Sequence, residues 1–411
     1  MEVVYTHCCG LDVHKKTVVA CLVTPPAPGH PAKEIRTFST MTADIRALAA
    51  WLTAAGCTHV AMESTGVYWK PVYNLLEGLF ELLVVNAQHI KAVPGRKTDV
   101  GDAEWIADLL RHGLLRASFV PPAAQREVRE LTRYRISLVR ERARHINRLQ
   151  KILEDANLKL AGVATDITGV SARAMLDALL AGESDPVVLA DLARGRLREK
   201  QAALEAALAG RVREHHRFLL TEELSQLDYL DEAVARVTAV IEERLRPFAR
   251  ELTQLDTIPG INERTAQVIV AELGVAMQRF PSAGHLASWA GLCPGNHVSA
   301  GKRQRGTTRP GNPWLRQALM EAAHGAAHSK DTVLAAQYRR LARRIGRRKA
   351  LVAVAHSILV IVYHVLSEGQ EYHELGANYY DEHDRAAVER ALIRRLERLG
   401  NEVTLIRKEA A

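Results

Sequence analysis

Two aspartates three residues apart, Asp99 and Asp102, lie in the stretch Arg96-Lys97-Thr98-Asp99-Val100-Gly101-Asp102, which opens a helical pattern through Ala103, Trp105, Ile106, Leu109 and Leu110. A helix beginning near Asp99 would set both carboxylates on one face, roughly 5–6 Å apart at Cβ. Like charges that close are tolerated where a cation neutralises them or solvent screens them. The pair therefore reads either as a metal grip or as an N-cap aspartate followed by a first-turn aspartate, both favoured by the helix dipole. Asp12 and Glu63 each follow an apolar strand pattern, and a carboxylate at the end of a buried strand is costly unless it is paired or bound to a metal. Four acids in the order Asp, Glu, Asp, Asp would suit two hard divalent cations, which take oxygen ligands and can clamp both oxygens of a phosphodiester exchange. Acids scattered at strand ends are the plain alternative.

A second segment with chemical potential runs from Ala290 to Gly306 and on to Arg316. It is rich in Gly and cations and poor in acids, a composition suited to lying on phosphates. Ser299 precedes its cationic run, where positive charge would favour an alkoxide nucleophile and a phosphoryl transition state. A turn serine is the plain reading, and no His-Asp partner is assignable for a hydrolase triad. Lys302, Arg303, Arg305, Arg309 and Arg316 are candidate nucleic-acid contacts. So are Pro259 and Gly260, in a Leu255-to-Asn262 segment that resembles a helix-hairpin-helix element. There the Gly permits a tight turn and backbone N–H groups can receive a phosphate; the alternative is an ordinary helix turn.

These residues need elements to hold them. Val3 to Val13 and Thr17 to Thr24 predict a β-hairpin and Glu34 to Thr40 a third strand. Thr42 then predicts a capped helix with Ile45, Leu48, Ala49 and Leu52 on one face. His59 to Glu63 predicts a buried strand, Val67 to Leu79 a helix, and Glu81 to Asn86 another strand. This order implies an α/β domain with a mixed sheet, and such sheets place sites at strand ends. Beyond Pro121-Pro122 the pattern is helical, over 126–160 and 197–250, with 162–195 as a broken link. The first helix carries eight arginines from Arg126 to Arg148, either a solvated coiled-coil face or a track along a nucleic-acid backbone. Domain limits are expected at 1–120, 121–250, 251–335 and 336–411.

With 411 residues and a net charge of +8, the chain has room for two or three domains and favours a polyanionic partner. Five cysteines without zinc spacing fit free thiols in a reducing, cytoplasmic compartment. The apolar run Ala350 to Leu366 reads as a buried helix, so no membrane association is expected. Gln337 to Lys349 form a basic helix that is either a solvated face or a further nucleic-acid contact, and Asp381 to Leu399 is an amphipathic helix.

Gly10-Leu11-Asp12, Met62-Glu63-Ser64-Thr65-Gly66, Lys97-Thr98-Asp99-Val100-Gly101-Asp102-Ala103, Pro259-Gly260-Ile261 and the Ser299 loop ending Gly311-Asn312-Pro313-Trp314-Leu315-Arg316 occur in an order that resembles one family. It is that of insertion-sequence transposases with an acidic DEDD domain and a C-terminal catalytic serine, of the bridge-RNA-guided recombinase type. The resemblance implies an α/β ribonuclease-H-like, Holliday-junction-resolvase-like N-terminal domain, a long helical coiled-coil arm and a mainly α C-terminal domain with a helix-hairpin-helix-like element. It implies Mg2+ bound by Asp12, Glu63, Asp99 and Asp102, and a Ser299–DNA covalent intermediate. It implies donor and target DNA as partners, a guide RNA from the element and a homo-oligomer, dimer or tetramer. The family often has Gly directly after the serine, whereas Ala300 and then Gly301 stand here. The alternative is a metal-dependent, structure-specific DNA nuclease that forms no serine adduct. An actin-like ATPase would need a second phosphate hairpin, which the later half lacks.

Overall fold

The computed structural model describes residues 2–27, 30–64, 66–86, 101–295, 298–299, 301–303, 308 and 310–405, divided into two compact units, Met1–Pro121 and Pro122–Ala411. In the first unit, β1 (Cys8–Val13), β2 (Thr17–Ala27), β3 (His30–Ser39), β4 (His59–Glu63) and β5 (Glu81–Val85) form one sheet in the order β3-β2-β1-β4-β5. The first three strands are antiparallel neighbours, while β1, β4 and β5 run parallel. Parallel neighbours require crossovers, here α1 (Thr42–Ala54) and α2 (Trp69–Leu76). The strands alternate with period two: Cys9, Leu11, Val13, Val18, Ala20 and Leu22 pack with α1 and α2. Cys8, Cys21, Val23 and Ala61 pack on the opposite face against Ala103, Ile106, Ala107 and Leu110 of α3 (Asp102–Arg111). The mixed ribonuclease-H-like sheet expected from the sequence is the one observed.

Several boundaries differ from expectation for local reasons. The first strand starts at Cys8 rather than Val3, because the N–H groups of Val4 and Tyr5 bond the Arg111 carbonyl at 2.9 and 3.1 Å. Thr42 is the first helical residue of α1, not its cap; the Ser39 hydroxyl engages the Asp44 carboxylate and accepts from the Met41 N–H instead. The helix expected from Val67 begins at Trp69 and ends at Leu76. Cys8, Cys9, Cys21 and Cys57 are buried free thiols. Burial pushes Cys8 and Cys21 up to about 11 and Cys57 to about 12, so they stay protonated at neutral pH.

In the second unit, α4 (Ala123–Asp155) is followed by α5 (Val170–Leu180), α6 (Pro186–Asp191), α7 (Gln201–Leu208) and α8 (Glu214–Leu245). Helices α4 and α8 run antiparallel: Arg244 meets Glu127 at 2.8 Å near one end, and His145 meets Glu223 at 2.6 Å toward the other. Residues 162–195 are more than a link, since Ala172, Met175, Leu176, Leu179 and Leu189 build a separate core with Leu149, Leu153, Leu220 and Leu224. The pattern expected to be continuous over 197–250 breaks between α7 and α8. There Gly210 passes so close to the end of α4 that a Cβ would lie 2.6 Å from the Ala156 carbonyl oxygen.

The largest core of this unit gathers α9 (Ala249–Asp256), α10 (Glu263–Leu273), α11 (Ala283–Trp289), α12 (Pro313–His328), α13 (Val333–Ile345) and α14 (Arg347–Glu368). By length and composition α14 could cross a membrane. Here Leu351, Val354, Ile358, Leu359 and Val362 are buried in that core. The expected helix over 381–399 is a short turn, Tyr379–His383, followed by α15 (Arg385–Glu397), and neither buries a side chain.

Candidate active site and nucleic-acid interface

Three of the four acids reach one face of one sheet. Leu11 pairs with Met62 across the parallel β1–β4 ladder, which makes Asp12 the neighbour of Glu63 at the carboxyl ends of those strands, with backbones about 4.8 Å apart. By strand alternation Asp12 shares the face of Cys8 and Gly10, and Glu63 that of Ala61, the face on which α3 packs. Asp102 is the first residue of α3, after the N-cap Gly101. Asp99 lies outside the described residues, as does the expected pairing of Asp99 and Asp102 on one helix face; the described helix starts at Asp102. His14, between β1 and β2 and not singled out from the sequence, places Nε2 3.1 Å from Asp12 Oδ2. Its signal was the i, i+2 spacing that aims both side chains to one side of a strand end.

Gly10 sets how close α3 comes to β1. A Cβ there would lie 2.3 Å from the Ala103 carbonyl oxygen and 2.4 Å from the Ala107 nitrogen, both helix backbone. We expect Gly10→Ala to destabilise the N-terminal unit by about 1–3 kcal/mol and to push the Asp102 end of α3 away from Asp12. A denaturant titration followed at Trp105 checks it; an unchanged midpoint would mean that the helix is not held by this contact.

Ser299 ends β6 (Val298–Ser299) and pairs with Lys302 of β7 (Lys302–Arg303), with Gly301 in the turn between them. Such turns need a residue of positive φ, and Gly301 has φ +73°. The glycine displaced by one position from the family pattern is thus the one the hairpin uses. Arg305 and Arg309 lie outside the described residues. Arg316 braces the stem of the loop: its Nη1 donates to the Gly291 carbonyl at 2.8 Å and to Thr308 Oγ1 at 2.9 Å. Two other serines of this unit are engaged locally, Ser282 as the cap of α11 and Ser329 in a hydrogen bond to the Ala326 carbonyl.

Beneath that stem lies a polar hub. Glu272 of α10 is fully buried and receives Arg133 Nε and Nη2 at 2.7 and 2.9 Å, while Arg129 Nε stands 3.2 Å away. Asn312 caps α12 through Oδ1 and donates Nδ2 to Glu272 Oε2 at 2.6 Å. Arg133 and Arg140 stand over the Trp314 ring, 5.7 and 5.0 Å from its centre. Burial pulls Arg129 down to about 10 against the attraction of Glu272, so it stays charged at neutral pH. Sequence reasoning missed Glu272, although an acid inside the mostly apolar run Ala266–Leu273 was a readable sign of a buried partner.

The Pro259-Gly260 turn joins α9 to α10, whose cap Asn262 accepts from the Thr265 N–H at 2.9 Å. Gly260 has φ +89° and sits against α12, where a Cβ would be 2.1 Å from the Ala322 carbonyl oxygen. The close approach to α12 therefore gives this glycine a packing reason of its own. Next to this turn a cleft of about 210 Å³ is lined by Arg135, Arg140, Asn262, Arg264 and Glu321 among others.

A further group able to hold a divalent metal brings ligand atoms of Asp155, His215 and His216 within 4.8 Å of one another. His216 is also a structural residue: Nδ1 accepts from the Arg213 N–H at 3.2 Å, Nε2 meets Asp155 Oδ2 at 2.9 Å, and this bond holds the Asp155 carboxyl below its usual range. Two imidazoles suit a transition metal, whereas an all-carboxylate set suits a hard cation such as Mg2+.

A transposase model matches residues 9–158 and the model of the transposase IS116/IS110/IS902 family matches residues 252–339, together more than half of the chain. The transposase for insertion sequence element IS1111A of Coxiella burnetii is 26% identical over 328 residues, 77% of this chain and 79% of its own. An insertion element IS110 protein of Streptomyces coelicolor is 26% identical over 68% of this chain and 73% of its own. The pilin gene-inverting protein of Moraxella bovis is 26% identical over 184 residues, 39% of this chain and 56% of its own. The acid-bearing sheet falls in the first matched stretch and the serine hairpin in the second, and the chain belongs to the IS110/IS1111 family of insertion-sequence transposases, DNA-modifying enzymes of mobile elements.

Proposed function

We propose that this transposase cuts and rejoins DNA through a Ser299–DNA covalent intermediate, with Asp12, Glu63, Asp99 and Asp102 holding Mg2+. What supports the metal reading is the donor chemistry: Asp12, Glu63 and the Asp102 end of α3 share one sheet face, and every donor is a hard carboxylate oxygen. Bound there, Mg2+ would supply charge neutralisation at a phosphoryl oxygen. In the exchange itself, Ser299 Oγ loses its proton and forms a bond to phosphorus as one deoxyribose–oxygen bond to that phosphorus breaks. The released deoxyribose oxygen takes up a proton, and attack by a second strand's hydroxyl reverses these steps and frees the serine. One phosphodiester is replaced by another at each stage, so no external energy source is needed. Pro259, Gly260, Lys302, Arg303, Arg305, Arg309 and Arg316 contribute to the DNA-facing surface in this reading, Arg316 through the loop stem it braces.

The finer assignments belong to the same proposal: an RNA from the element's non-coding end selects donor and target, the chain works as a dimer or tetramer, and it acts in the cytoplasm, where free thiols persist. Residues 1–120 supply the acids, 121–250 the arm, 251–335 the serine and 336–411 a helical tail whose first part, α14, closes the core of the serine-bearing segment. The test is a denaturing gel for a protein–DNA adduct formed with Mg2+, flanking-element RNA and matched DNA. Ser299→Ala and Asp99→Asn should each lower adduct yield by more than about 10³-fold. Cleaved DNA without adduct, unaffected by Ser299→Ala, would replace this reading with that of a nuclease.

A further inference from the structure

Between Thr332 and Ser367 the chain contains no Asp or Glu, yet it carries Arg339, Arg340, Arg343, Arg344, Arg347, Arg348 and Lys349. All seven are exposed and flank Gly346, the residue of φ +86° at which α13 gives way to α14. The spacing of four residues repeats the cation pairs at steps of about 6 Å along α13. The opposite side of α13 is fixed: Leu334 is buried, Tyr338 packs on the core, and Gln337 Nε2 donates to Ser357 Oγ at 2.8 Å. Arg340 is ordered over the Tyr380 ring, 4.3 Å from its centre. The cations are therefore presented by a docked helix rather than by a loose tail, which lowers the entropy lost when they meet a ligand.

A solvated helix face would be expected to interleave charges of both signs. That is what this protein does elsewhere: Arg142, Arg173, Arg236, Arg244 and Arg385 each have a carboxylate partner. Among the described residues Arg339, Arg343, Arg344, Arg347, Arg348 and Lys349 have none. Three of these cations fall in the first turn of α14, the helix end where positive charge is disfavoured. A surface so assembled is relieved of its self-repulsion by a polyanion such as a phosphate backbone. Most of it lies beyond residue 339, where the second family match ends.

We infer that the exposed basic corner formed by the end of α13 and the start of α14 is a second, sequence-independent docking surface for the backbone of duplex DNA, separate from the serine loop. DNA is favoured over RNA because the family's shown substrate is DNA. The contact needs neither Ser299 nor the acids, so it stands or falls apart from the covalent mechanism.

The experiment measures binding of full-length protein to a labelled DNA duplex and, separately, to an RNA hairpin, between about 50 and 200 mM salt. In the variant Arg343→Gln/Arg344→Gln/Arg347→Gln/Arg348→Gln the slope of log affinity against log salt should flatten by about 2–4 for duplex DNA, since each lost phosphate contact removes about 0.9. The same four positions changed to Lys should keep the wild-type slope, which distinguishes lost charge from a damaged fold. Ser299→Ala should also keep it while losing the adduct, which separates failure of this inference from failure of the proposed mechanism. An unchanged DNA slope in the Gln variant overturns the inference. A slope lost for RNA and retained for DNA overturns it too, and assigns the corner to RNA.

Discussion

Glu272→Ala is expected to lower the stability of the C-terminal unit by about 3–5 kcal/mol. The substitution removes a fully buried carboxylate that sits between two guanidinium groups, those of Arg129 and Arg133, whose side-chain exposures are 14% and 30%. Both partly buried charges would lose this counter-charge, and Asn312 would lose its acceptor. The urea midpoint should fall with little change in slope, because the loss lies in the folded state. Glu272→Gln keeps an acceptor for Asn312 and should cost less than Ala. A variant that replaces Arg129 with Met, Arg133 with Met and Glu272 with Leu should recover much of the loss, since swapping a whole buried ionic cluster for apolar side chains is often neutral or stabilising. If Glu272→Ala melts like the wild type, the hub does not hold the helices together.

Gly260→Ala carries the second large effect, because conformation and space act in the same direction. Holding a non-glycine residue at φ +89° costs about 1–2 kcal/mol. A methyl group 2.1 Å from the Ala322 carbonyl oxygen and 2.6 Å from the Ala326 nitrogen then forces α12 outward, for about 1–3 kcal/mol more. Gly301 separates the two contributions: its φ is +73°, but among the described residues nothing lies within 4 Å of an added Cβ. Gly301→Ala should therefore show the conformational cost alone. Equal losses at the two sites, measured by thermal unfolding under identical conditions, would mean that the approach of the turn to α12 is not tight.

The sheet was legible in the sequence because each strand shows its own period and each crossover an amphipathic helix; His59–Glu63 was read to the residue. The convergence of Asp12 and Glu63 could be guessed from strand ends, but their adjacency depends on the Leu11–Met62 register, which no local pattern states. The same limit applies to Glu272. Its partners sit 139 and 143 residues away in the chain, and only the packing of α4 on α10 shows why an acid is tolerated there. Residues 162–195 looked like a link because their helices are short and interrupted by Gly and Pro. They form a core only through Leu149, Leu153, Leu220 and Leu224, which lie outside the segment. His14 was passed over because a turn residue beside lysines has an ordinary explanation until its ring is found 3.1 Å from Asp12.

The placement of α14 bears on how copies of such an element decay. A reading frame interrupted just after residue 339 still encodes both stretches by which the family is recognised. It no longer encodes Leu351, Val354, Ile358, Leu359 and Val362, which complete the core around Leu315, Leu319 and Ala323. The product would expose that apolar wall and pass to proteases instead of DNA. In a genome, then, a gene fragment bearing every recognisable motif can be as silent as a deletion, and the intactness of a copy is decided by the codons for Leu351 to Val362, beyond the last matched residue.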